Sequence, residues 1–196
     1  MVADPAKLRR ELNAIAVRQL GFFTAKQALV VGYSYAAQKY HTDRGSWHRV
    51  GRGLFRLPDW PASDVDQYVL LRLWSNDRAV VSHDSALALH DLGDANPRLI
   101  HLIVPLNFRA EDPAVVLHKA VLPAEDIEDR TEYRVTTVNR TLLDVAAGDI
   151  SQDQLNAAVS DALTRGAASP RLLRERSDEP GDRAALRIER ALVAAT

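Results

Sequence analysis

Between Asp4 and Arg44 the chain carries three helix starts and two helix stops, and this local punctuation constrains the fold more than any bulk property. Asp4-Pro5 sets an N-cap before a proline at the first helical position. Leu8, Leu12, Ile15, Ala16 and Leu20 then recur at helical spacing until Gly21. Thr24 with Gln27 forms a capping box, and Gly32 stops the second helix after Ala28-Leu29-Val30-Val31. Ser34 caps a third helix running to about Arg44. A short helix, a turn holding Gly32 and a polar-faced helix make a helix-turn-helix. The spacing sends Ala36, Ala37 and Tyr40 inward and puts Tyr35, Gln38, Lys39 and Thr42 on the free face.

Ser46–Val50 and Leu54–Pro58 flank Gly51-Arg52-Gly53, the pattern of a hairpin with its turn at Arg52. A hairpin directly after a helix-turn-helix is a wing. Arg49, Arg52 and Arg56 lie on it without an acid, placed for phosphate or minor-groove contact, and Lys39 and Arg44 add charge from the third helix. Gln38, read as projecting from that helix, can pair bidentately with adenine.

The near-neutral net charge of −1 hides an asymmetry. Up to Leu57 there are 10 basic and 3 acidic residues, a net of +7; the remainder has 15 basic and 23 acidic residues, a net of −8. Such a split points to a nucleic-acid-binding segment joined to an acidic body. The bland alternative for the split is a chance cluster of solvated charges, and for the module as a whole a winged helix used for protein contacts. A hydrophobic share of 46% excludes a disordered chain, and the absence of cysteine excludes disulfides, thiolate chemistry and sulfur-ligated metals. No apolar run approaches the ~20 residues of a membrane span, and Met1-Val-Ala-Asp-Pro has no signal-peptide pattern, so a soluble cytoplasmic protein without membrane contact is expected. The glycine pair at Gly51 and Gly53 lacks the further residues of a nucleotide-binding loop, and no cofactor is expected.

The expected fold is α+β: a winged helix-turn-helix over 1–60, a stiff Pro58–Pro61 linker, and a mixed α/β domain over 61–196 ending in helices. In that body, Ser63 and Asp66 open a helix carrying Tyr68, Val69, Leu71, Leu73 and Trp74. Ala79–Val81, Leu99–Val104, Val115–Lys119 and Tyr133–Thr136 read as strands. Helices are expected over Ser82–Leu92, Val138–Ala147, Gln152–Arg165, Pro170–Arg176 and Arg183–Ala195.

The pieces "GFFTAKQALVVGYS", "GSWHRVGRGLFRLP", "VVSHDSALALHDLG", "IHLIVP" and "VTTVNRTLLDVAA", in this order, resemble the AbiEi (abortive infection) antitoxins of bacteria. The resemblance implies an N-terminal winged helix-turn-helix that represses its own operon and a body that counteracts a nucleotidyltransferase toxin encoded beside it. Its implied partners are double-stranded promoter DNA, on which copies can self-associate, and the cognate toxin. It places DNA contacts on Ser34, Tyr35, Gln38, Lys39 and Thr42 and on Arg49, Arg52 and Arg56. Where that family often carries Arg or Lys, this helix has Tyr35, Gln38 and His41.

No catalytic constellation stands out. Ser82-His83-Asp84-Ser85 cannot converge as a triad, because adjacent side chains diverge. Ser82 is expected to cap the following helix and His83 to make a polar contact at its start; His101 and His118 read as separate structural histidines within strands. No His-Glu-x-x-His pair is present, and no metal site is expected. An enzymatic alternative, in which the antitoxin modifies its toxin by phosphotransfer, would draw on His83, Asp84, Arg140 and Asp144 in the body motifs. A solitary repressor is the other alternative.

Overall fold

A computed structural model describes residues 4–195. The chain divides into two compact units, one of residues 1–77 with 131–133 and the other of residues 78–130 with 134–196.

The first unit builds three helices and a small sheet from local signals. Asp4 accepts from the Ala6 amide at the head of α1 (Pro5–Val17). Strand β1 (Phe22–Thr24) leads into α2 (Ala25–Val31) through the Thr24–Gln27 capping box, both halves of which are formed. Ser34 caps α3 (Tyr35–Asp43). Strands β2 (His48–Gly51) and β3 (Leu54–Arg56) turn at Arg52-Gly53, with a bulge between Arg49 and Gly51. The sheet is antiparallel in the order β1-β3-β2. The core gathers Leu12, Ala16, Phe23, Ala28, Tyr33, Trp47 and Phe55, with Phe23 edge-on to Trp47 at 4.9 Å. Each large side chain among them contributes roughly 1.5–3 kcal/mol by leaving water.

Helix α4 (Asp66–Trp74) belongs to this unit as well, because Val69 and Leu73 pack on Phe22 of β1. The expected boundary at Pro58–Pro61 therefore lies inside a folded unit. Trp60 rests on Gly21, where φ is +82° and a Cβ would come within 2.5 Å of the indole. Recounted over the folded units, charge is more even: 11 basic against 8 acidic residues in the first, a net of +3, and 14 against 18 in the second, a net of −4.

The second unit has a five-stranded mixed sheet in the order β6-β5-β4-β8-β7. Its strands are β4 (Val80–Val81), β5 (Ile100–Val104), β6 (Val115–Lys119), β7 (Ile127–Asp129) and β8 (Arg134–Thr136). Helix α5 (His83–Leu89) follows β4, and a single 3-10 turn at Ala124–Asp126 precedes β7. Helices α6 (Val138–Ala147), α7 (Gln152–Thr164), α8 (Pro170–Arg176) and α9 (Asp182–Ala194) close the chain. Leu87, Leu142, Leu143, Leu155, Leu173 and Ile188 fill the core among these helices. Buried Arg187 donates to the carbonyls of Ala146, Gly148 and Ile150, satisfying backbone acceptors at the end of α6 that have no helical partner. The architecture is α+β. No helix among the described residues is long and apolar enough to cross a membrane.

Candidate functional site

The entry to α3 is fixed by two residues. Gly32 takes φ +119°, and Ser34 Oγ accepts from the Ala37 amide at 3.2 Å. The helix so placed turns Ala37, Gln38, His41 and Thr42 toward the unit and leaves Tyr35, Ala36, Lys39, Tyr40 and Asp43 toward solvent.

Gln38 is thus not a base-reading residue. It is 3% exposed, and its Nε2 donates to the carbonyls of Ala25 at 3.1 Å and Tyr33 at 3.0 Å. A position enclosed by two carbonyls calls for a donor, and the amide supplies it. Ala36 and Tyr40, expected inward, are exposed. The Tyr40 hydroxyl accepts from Arg44 Nη1 at 2.8 Å, and the guanidinium lies 5.4 Å from its ring.

Arg56 also leaves the expected interface. Its Nη2 sits 2.8 Å from Asp66 Oδ2 and donates to the Pro61 carbonyl at 2.9 Å, and the guanidinium covers the Phe22 ring at 4.5 Å. β3 is the central strand, and this side chain is spent on holding α4. Ser34 is committed to its cap, and Thr42 donates back to the Gln38 carbonyl at 2.9 Å.

Of the remaining residues, Tyr35, Lys39 and Arg49 gather on one face. Arg52 is exposed at the hairpin turn, and Arg49 is exposed with Nε donating to the Gly51 carbonyl at 3.3 Å. Lys39 is 2.7 Å from Asp43 with its side chain 76% exposed, so the pair is solvent-screened and holds the lysine weakly. Tyr35 stands 70% exposed beside it. A groove of about 390 Å³ between α3 and the hairpin is lined by Tyr35, Lys39, Thr42 and Arg49, with Gly53 and Phe55 on the strand side.

A second locus arises where β4 meets α5. His83 adopts φ +50°, a backbone region that residues other than glycine rarely take and that concentrates at functional positions. Its Nδ1 lies 2.9 Å from Ser82 Oγ, so the buried Ser82 hydroxyl serves this ring and does not cap α5. The parallel β5–β6 register pairs His101 with Val116 and Ile103 with His118, which puts both histidines on one face of adjacent strands. The His83 ring stacks on His118 at 3.5 Å, His118 Nε2 is 3.2 Å from His101 Nδ1, and His101 Nε2 is 4.0 Å from Asp84 Oδ2. His101 and His118 are therefore members of one cluster. Burial pushes the His83 imidazole down to about 3, helped by its two histidine neighbours and Arg140; His118 is lowered by burial and by His101. Parallel rings this close direct their lone pairs side by side and not at one point, and no metal-binding group of three or more His, Cys, Asp or Glu forms among the described residues. The cluster walls a cleft of about 470 Å³.

Arg140 and Asp144 serve a different structure. Arg140 Nε donates to Asp144 Oδ1 at 2.8 Å, its Nη1 reaches Asp126 Oδ2 at 3.2 Å, and Arg176 grips Asp126 through two bonds of 2.6 and 2.8 Å. Burial pushes the Asp144 carboxyl up to about 6 against the pull of Arg140, whereas hydrogen bonds from Arg176 hold Asp126 below the usual carboxylate range. The four groups knit α6, α8 and the 3-10 turn.

The fold is similar to that of the Rv2827c protein from Mycobacterium tuberculosis, with a TM-score of 0.67 at 16% identity over 97% of this chain and 78% of that one. No family model and no curated protein matches the sequence.

Proposed function

We propose that the first unit is a winged helix-turn-helix that binds double-stranded DNA, and that the chain is an AbiEi-type antitoxin acting in the cytoplasm. It represses its own operon and neutralises a cognate nucleotidyltransferase toxin. The observation that carries the DNA reading is the surface itself. An exposed α3 lies beside a hairpin whose turn carries an exposed arginine: Lys39 and Arg49 line the groove between them, and Arg44 and Arg52 are exposed at the ends of the same two elements. The order helix–strand–helix–helix–strand–strand, with β3 central, supports the winged-helix reading. In this reading α3 enters the major groove with Tyr35, Ala36 and Lys39 toward the bases, and the hairpin arginines follow the phosphates. The toxin contact falls to the second unit, whose net charge of −4 complements a basic nucleic-acid-handling partner.

Fluorescence anisotropy of the full chain on a duplex from its own promoter, against a random duplex, tests the first half. Specific binding that weakens with salt is expected, and equal, salt-insensitive affinities would reject it. Co-expression with the nucleotidyltransferase encoded beside it tests the second half. Growth should be restored by the full chain, and restoration by an unrelated DNA-binding protein in its place would remove the antitoxin assignment.

A further inference from the structure

We infer that the cleft beside His83 binds an alkylammonium or alkylguanidinium group carried on an aliphatic stem. The inference is independent of the DNA reading. The cleft holds about 470 Å³, room for a small organic group. Its polar lining includes His83, His101, His118, Asp84, Asp94 and Asn96, with Gln154, whose Oε1 accepts from the Ser151 amide in the cap of α7. Among the described residues no Lys or Arg side chain lines it, which disfavours phosphate or carboxylate ligands. Arg140, the cation that acts on His83 from outside the cleft, is already bonded to Asp126 and Asp144. Asp149 at the rim is 3.9 Å from Arg183 and adds little. The His83 and His118 imidazoles, kept uncharged by burial, can face a donor without repelling a cation. Leu87, Leu92, Val145 and Ile150 form an apolar wall suited to a methylene stem.

The strained backbone at His83 supports the same reading. A histidine at φ +50° in a strand-to-helix junction aims its ring by main-chain geometry. Ser82 Oγ pairs with Nδ1 at 2.9 Å, and in the tautomer in which Nδ1–H donates to that hydroxyl, Nε2 carries the lone pair of the ring.

Two sources can present this chemistry: a free amine or guanidine, and a lysine or arginine side chain of a protein. Imidazole resonances of the full-length protein would be followed by NMR during titration with n-pentylamine, n-pentylguanidine, N-acetyl-lysine amide, N-acetyl-arginine amide and pentanoate. Saturable shifts of His83 and His118 are expected with the cations and not with pentanoate. Stronger binding of the free amines assigns a small-molecule ligand, and equal or stronger binding of the capped amino acids assigns a protein side chain. Asp84→Asn should weaken binding about tenfold, the worth of one charge-assisted hydrogen bond. His118→Gln, which keeps polarity, should also weaken it. Silence of the imidazoles toward every cation, equal response to pentanoate, or saturable binding of inorganic phosphate would overturn the proposal.

Discussion

Arginine is used in opposite ways in the two units. In the first, Arg49 and Arg52 stand in solvent on a hairpin; in the second, Arg140, Arg176 and Arg187 are enclosed and bonded to carboxylates or carbonyls. Arg56 shows that the contrast follows burial and not sequence position, since it lies on the same hairpin as Arg52 yet anchors α4. Counting charge along a chain therefore finds where cations are but not which ones a partner can meet. The asymmetry of +7 against −8 at Leu57 narrows to +3 against −4 at the folded boundary for the same reason: α4 and its approach contribute acids that fold with the first unit.

Five variants sharpen or break that contrast. The largest effect is expected from Arg187→Met, which leaves three carbonyls without their donor and should lower unfolding free energy by about 3–4 kcal/mol. Chemical denaturation with no change would show that the enclosed arginine is dispensable. Next comes pH. The folded Asp144 carboxyl, raised from 3.8 to about 6, binds its proton more tightly than the unfolded one. Its contribution is thus full at low pH and is lost as pH rises from about 4 to about 6, by up to ~3 kcal/mol. Asp126, whose folded carboxyl is lowered, contributes in the opposite sense and loses stability as pH falls. Asp144→Asn should remove the first trend and keep the second, and an unchanged stability–pH curve would count against the buried carboxyl.

Gln38→Leu should cost about 2 kcal/mol by leaving the carbonyls of Ala25 and Tyr33 without their donor, and it should weaken promoter and random duplexes alike. Loss confined to the promoter would return Gln38 to base reading. The smallest effects separate two arginines of one hairpin. With about four cations on phosphates the slope of log K against log salt should be near −3.6, and Arg52→Ala should make it shallower by about 0.9. Arg56→Ala should leave the slope in place and lower stability by about 1–2 kcal/mol instead. Matching slopes for the two variants would erase the distinction.

The sequence made the helix starts legible because a cap is a bargain between residues three apart. Thr24 with Gln27 and Ser34 form their bonds where expected, and Ser151 with Gln154 and Ser169 open α7 and α8 by the same device. Strands β1 and β7 were not legible: Phe22–Thr24 runs straight into a helix cap and Ile127–Asp129 is mostly acidic, so each exists only through the strand that pairs with it. The inward face of α3 was misjudged because hydrophobicity ranks Tyr40 above Gln38, while an enclosed pair of carbonyls ranks them the other way. His83, His101 and His118 are scattered along the chain, and only a strand register and a left-handed backbone turn bring them together. Nothing in the spacing announces that cleft.

Trp60 seated on Gly21 has a practical reach beyond the fold. A segment written Pro-Asp-Trp-Pro looks like a hinge at which a protease would nick the chain or a cloner would cut it. The Leu57 amide donates to the Gly21 carbonyl, Arg56 holds the Pro61 carbonyl, and the indole covers the glycine, so the segment is sewn to the body of its unit. Limited proteolysis should spare it. A fragment ending at residue 60 would strip α4 from Phe22 and carry a raw apolar face into solution, which makes aggregation, and not a minimal DNA reader, the expected product of that truncation.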